Sequence, residues 1–231
     1  MGNGLAILIW LTVFGLSACA GVPPPEPLNS QSTAIGISVK LKAPIGLFSR
    51  HAERVYFVRV EKEEDLYASS QVIPSNYVNG DYVYLLNAAP GRYAAVASFN
   101  TARTQQGATT TYTTFFPEEL IRHTQTMVGS GATAFMGDYV LATSAGLDEA
   151  DNSQLHYFHL MAPNALLGTG VVAGVLSLMT SGDAYYKGTL KEEHRDKQAE
   201  LNFLTTSSNS FKGTGWGEII LKRFNELKTH Q

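Results

Sequence analysis

Apolar and polar residues alternate with a period of two over residues 35–42, where Ile35, Ile37, Val39 and Leu41 interleave with Gly36, Ser38, Lys40 and Lys42. Successive side chains of a strand point to opposite faces, so the spacing predicts a strand with one buried and one wet face. Residues 55–60, rich in β-branched and aromatic side chains, predict another. Residues 67–78 and 81–88 flank Asn79-Gly80, which tolerates the positive φ of a type I′ turn and predicts a hairpin. Ala89-Pro90-Gly91-Arg92 suits a type II turn leading into a strand over 93–99. Three strands joined by two tight turns predict a β-meander. Further strands are expected at 110–116, 121–128, 133–143 and 154–161, with Gly137 marking a bulge or a close backbone approach. Residues 101–109 and 146–152 read as exposed connections.

The period changes after Gly182. Residues 185–190 suit one last strand, and residues 191–204 read as a charged, solvated helix with an attractive Glu193–Lys197 spacing. Thr214 is the expected N-cap of a final helix over 215–227, on which Trp216, Ile220, Phe224 and Leu227 share one face. Such a stripe predicts a helix docked on its own domain. The fold class expected is therefore mainly β: an antiparallel β-sandwich over 34–161 with C-terminal helices docked on it, the last strand and helices occupying 183–231.

Between these parts lies an uncharged stretch of 23 residues, 160–182, punctuated by Gly168, Gly170 and Gly174. Pro163-Asn164 and Thr180-Ser181-Gly182 trim its apolar centre to 165–179, short for a membrane span. Its first expected place is buried core beneath Trp216 and Phe224. The alternative is a contact surface for membrane, partner or second copy, with Leu166, Val171, Val172, Val175 and Leu176 as contact residues. As a domain map, 162–182 is set apart as an apolar, Gly-rich segment.

The only cysteine, Cys19, follows the apolar run 5–14 and closes Leu16-Ser17-Ala18-Cys19. This segment resembles the lipobox of bacterial lipoproteins. The resemblance implies that residues 1–18 are a signal peptide and that Cys19 becomes the acylated N-terminus of a 213-residue mature chain. Met1-Gly2-Asn3-Gly4 departs from the usual pattern by carrying no Lys or Arg. Ala20, where the family's retention signal would be Asp, implies the outer membrane, on its periplasmic face or at the cell surface. Residues 19–33, with Pro23, Pro24, Pro25 and Pro27 followed by Asn29 to Ser32, read as a lipidated cysteine and a Pro-rich tether. A lone cysteine allows no internal disulfide, and a net charge of −3 without a basic run gives no footprint for nucleic acid.

Residues 82–93, in which an apolar strand runs into Pro90-Gly91 and Tyr93 opens the next strand, resemble the motif of carboxypeptidase-regulatory-like and transthyretin-like β-sandwich domains. That resemblance implies a fold used mainly for structure or binding and carries over no catalytic residue. The chemistry-bearing patterns are sparse. His156 and His159 fall on opposite faces of an expected strand, which disfavours a shared metal. Glu118-Glu119 after Pro117 suits the first turn of a helix. Gly168-x-Gly170 lacks a βαβ setting, and neither a hydrolase elbow nor a phosphate loop is present. No catalytic residue, metal ligand or cofactor is therefore assigned. The expected function is a non-enzymatic envelope lipoprotein held to the membrane by its lipid, with an envelope protein or a second copy as partner. A periplasmic enzyme acting on envelope polymers is the alternative.

Overall fold

The alternation of residues 35–42 produces β1 (Thr33–Lys42), the first strand of a mainly β structure, known from a computed structural model that describes residues 22–42, 49–60, 72–103, 109–145 and 184–229. Ten more strands follow: β2 (Ser49–His51), β3 (Arg54–Arg59), β4 (Val72–Pro74), β5 (Tyr77–Asn79), β6 (Tyr82–Ala88), β7 (Gly91–Arg103), β8 (Thr109–Phe115), β9 (Thr126–Val128), β10 (Thr133–Ala145) and β11 (Ala184–His194). The helices are α1 (Glu118–His123), α2 (Lys197–Ser210) and α3 (Gly215–Thr229). One mixed sheet runs in the order β4-β3-β7-β8-β11-β10-β1-β6-β5, with β2 on β1 and β9 on β7.

The sheet is not wholly antiparallel as expected, because β1 pairs parallel with β10 and β8 with β11. The first of these has a local cause. Gly131 N–H donates to Gln31 O at 3.0 Å and Ala34 N–H to Ala132 O at 3.1 Å, so β1 and β10 start side by side and run the same way. The expected meander is half correct. β5 and β6 form the hairpin, although Asn79 pairs with Tyr82 and the two turn residues are Gly80 and Asp81. Only Gly80 there has positive φ (57°), the glycine-first pattern of a II′ turn rather than I′. β6 and β7 do not pair at all: β6 lies between β1 and β5, and β7 between β3 and β8. Ala89-Pro90 is a crossover, held by the Tyr93 hydroxyl donating to Ala89 O at 2.7 Å.

The same kind of step occurs twice more. Ala52 N–H donates to Val39 O at 2.8 Å and Glu53 N–H to Phe99 O at 3.0 Å, taking the chain from β1 to β7 in one residue. Ser75 N–H donates to Val55 O at 2.8 Å and Asn76 N–H to Tyr84 O at 3.0 Å. β4 and β5 are the two rims of the sheet, yet only Ser75 and Asn76 separate them, so the sheet curls until its rims are joined by its own chain. The Asn76 amide fixes the seam, accepting from Leu86 N–H at 2.8 Å and donating to Leu86 O at 2.9 Å.

Inside the curl lies the main core, including Ile35, Ile37, Val39, Phe57, Val83, Leu85, Ala95, Phe116 and Leu141. The outer face of β1, expected to be wet, is buried at Gly36 and Ser38. A second core covers it, joining Ala34, Tyr84 and Leu86 to Phe203, Leu204, Phe211, Trp216 and Ile220 of the helical region. The stripe on α3 is thus docked on the body, with Phe224 and Leu227 partly buried at its margin. The expected bulge is at Gly137: β1 advances from Gly36 to Ser38 while β10 advances from Phe135 to Asp138. The strand expected over 121–128 is instead the end of α1 followed by β9, because Pro117 and the acidic first turn start a helix that ends at Thr124. Residues 191–194 continue β11, and α2 begins only at Asp196, whose Oδ1 caps it by accepting from Ala199 N–H at 2.8 Å. Thr214 adjoins α3, but its hydroxyl turns back to donate to Phe211 O at 2.8 Å.

Candidate functional site

Cys19 and the contact residues Leu166, Val171, Val172, Val175 and Leu176 lie outside the described residues, as do His156 and His159 and the Gly168–Gly170 pattern. The attachment of the apolar segment is nevertheless defined. β10 ends at Ala145, which pairs with Tyr186 of β11, so the described residues on either side of 146–183 stand at one place in the sheet. That place is the far end of β10 from the helices: Phe135, near the start of the strand, stacks on Phe203 at 4.8 Å. Trp216 and Phe224, expected to cover the apolar segment, pack in the core formed with Tyr84, Leu86 and Phe203.

The residues that follow Cys19 most closely in the described chain form a strap. Trp216, wholly buried, donates its Nε1–H to the carbonyl of Pro25 at 2.6 Å. Asn87, at the end of β6, grips the next residues twice: its Nδ2 donates to Glu26 O at 2.9 Å, and its Oδ1 accepts from Leu28 N–H at 3.1 Å. Asn87 has φ 61°, a left-handed conformation that asparagine tolerates better than other side-chain-bearing residues. Pro27 lies so close to the start of α3 that a Cβ on Gly215 would stand 2.9 Å from its ring. Asn29 Oδ1 then accepts from Gln31 N–H at 2.8 Å, turning the chain into β1. Residues 25–32, part of the segment read as a tether, are docked over this stretch. The composition gives no hint of it, because a Pro-rich segment has the same sequence whether free or bound through its carbonyls.

Titratable side chains of the body meet in ion pairs. His123 Nδ1 lies 2.8 Å from Glu193 Oε2, where α1 abuts β11. Arg195 donates to the carbonyl of His123 and approaches Gln125 O at 3.4 Å, so the cluster secures the end of α1. Glu193 therefore pairs with His123 across the fold and not with Lys197. Glu118, in the first turn of α1 as expected, binds Arg122 at 2.7 Å within the helix. Lys42 and Glu192 pair at 2.8 Å, and this contact holds the Glu192 carboxyl below its ordinary value. His51 Nε2 stands 3.5 Å from Asp81, while His51 Nδ1 and Asn100 Oδ1 are buried without partners. Burial pushes the phenols of Tyr84 and Tyr139 well above their ordinary range. Among the described residues no group of three His, Cys, Asp or Glu is placed to hold a metal ion, and no helix is long and apolar enough to cross a membrane.

No protein-family profile matches the sequence, and no curated protein and no solved structure matches it.

Proposed function

We propose that this protein is an envelope lipoprotein, held at the outer membrane by acylated Cys19, whose body serves as a structural or partner-binding module and not as an enzyme. The observation that carries the reading is Leu16-Ser17-Ala18-Cys19, with the chain's single thiol directly after small residues and an apolar run. The body fits such a use: the His123–Glu193 ion pair ties α1 to β11, and Glu200–Arg223 ties α2 to α3. We read the curled sheet as two facing layers, a sandwich-like scaffold of the kind that binds through what projects from it. The partner, an envelope protein or a second copy of the chain, is met by the apolar segment around Val171, Val172 and Val175, which is inserted between β10 and β11.

Replacing Cys19 with Ser removes the acylation site. The variant is expected to remain uncleaved or to become soluble, and to leave the detergent phase on temperature-induced phase separation. A Cys19→Ser protein that partitions like the parent would sink the proposal.

A further inference from the structure

We propose that residues 22–32 are an orienting strap that holds the α2–α3 turn and the β6–β7 crossover against the lipid surface in which Cys19 is anchored. The inference rests on the reading of Cys19 as the acylated N-terminus, and adds to it a fixed membrane-facing side. A fully extended chain spans at most about 3.6 Å per residue, so Val22 lies within about 11 Å of the anchored residue and Pro25 within about 22 Å. A free spacer running to Thr33 would reach about 50 Å and leave the body to tumble. The strap removes most of that slack, because the backbone is gripped at Pro25 by Trp216, at Glu26 and Leu28 by Asn87, and at Gln31 by Gly131. All of these grips use main-chain atoms of the strap. The apolar side chains of Val22 and Leu28 are left 86 % and 79 % exposed, within ten residues of the anchor. A lipid interface is the occupant that suits them: the anchor delivers them to it, and it takes apolar side chains at the headgroup boundary. Lys212 is exposed in the α2–α3 turn, three residues before Gly215, which lies against Pro27. Ser144 is eleven residues along β10 from Thr133, about 36 Å at the rise of a strand, and belongs to the membrane-distal end.

The test uses the full-length protein isolated from membranes and reconstituted in phosphatidylethanolamine–phosphatidylglycerol vesicles that carry nitroxide on a fraction of the headgroups. Acylation leaves no free thiol, so Leu28→Cys, Lys212→Cys and Ser144→Cys each accept one fluorophore. Quenching at positions 28 and 212 is expected to exceed that at 144 by about twofold or more, as for groups held at the interface and away from it. Asn87→Gly keeps the left-handed backbone and deletes both side-chain grips on the strap, and is expected to shrink the difference to less than half. Equal quenching at the three positions, or a difference untouched by Asn87→Gly, overturns the strap. The mass of the N-terminal peptide from the same sample separates the two ideas. A lipid-bearing Cys19 with equal quenching refutes the orientation alone, and an unmodified Cys19 refutes the anchor and the orientation with it.

Discussion

The two ends of β1 carry the same alternation and meet opposite fates. At the start, Gly36 and Ser38 point to the outer face and are buried, because Phe203 lies on that face between Phe135 at 4.8 Å and Tyr82 at 5.2 Å. At the finish, Lys40 and Lys42 continue the same outer row, and Lys42 reaches water beside Glu192. Alternation in a strand therefore tells which residues share a face, but not what will cover that face. The cover here comes from α2 and α3 at the far end of the chain. The covered end also bears the strap, while at the other end β10 stops at Ala145 and β11 begins at Ala184.

The comparison breaks most sharply at Gly36. A Cβ there would stand 2.3 Å from the Phe203 ring, which is confined by Phe135, Tyr82 and Tyr84. Gly36→Val is expected to cost about 3 kcal/mol through overpacking, read as a lowered denaturation midpoint. A variant that melts like the parent would mean that the helices lift off without loss, and the two ends of β1 would differ only in appearance.

A smaller effect is expected at Tyr84, whose hydroxyl meets Ser207 Oγ at 2.9 Å beneath α2. Tyr84→Phe should cost about 1 kcal/mol near neutral pH, the worth of one buried hydrogen bond. The pH dependence has a definite sign. The folded-state pKa of Tyr84 lies above its ordinary value of 10, so its stabilising contribution is whole below pH 10 and is lost as pH rises beyond it. Urea midpoints between pH 8 and pH 11.5 should therefore fall above pH 10, about that ordinary phenol value, and less steeply in Tyr84→Phe than in the parent. Equal slopes would place the phenol in water rather than under the helix.

The smallest effect belongs to the end of β1 at Lys42. Lys42 and Glu192 are 44 % and 50 % exposed in their side chains, and such pairs are screened by solvent. Lys42→Ala is expected to leave the melting temperature unchanged within error while returning the Glu192 carboxyl toward its ordinary value, as an NMR titration would show. A clear loss of stability would reveal a cover on this end as well.

Local chemistry made several elements legible: the strands β1, β3, β8 and β10, the bulge at Gly137, and the apolar stripe of α3. Each depends on side chains close in sequence. What could not be read depends on partners distant in sequence. Pro90-Gly91 looks like a hairpin turn because Pro and Gly suit tight turns of many kinds; that β7 would pair with β3 and not with β6 is decided by the curl. Residues 191–194 have the charge density of a helix surface, yet they extend β11 because Asp138, Tyr139 and Val140 offer them a ladder. The strap was invisible for a similar reason, since Trp216 and Asn87 hold its carbonyls and a carbonyl has no residue type.

The seam at Ser75-Asn76 bears on how other chains can approach. An open rim invites a foreign strand to add itself to the ladder, the route of donor-strand complexes and of amyloid growth. Here each rim, β4 or β5, is three residues long, and β4 ends in Pro74, which has no N–H to give. Among the described residues, these two rims thus resist strand addition. Side chains that project from the body are left as the means of contact, and the edge-to-edge polymers that an unguarded sheet can seed are disfavoured.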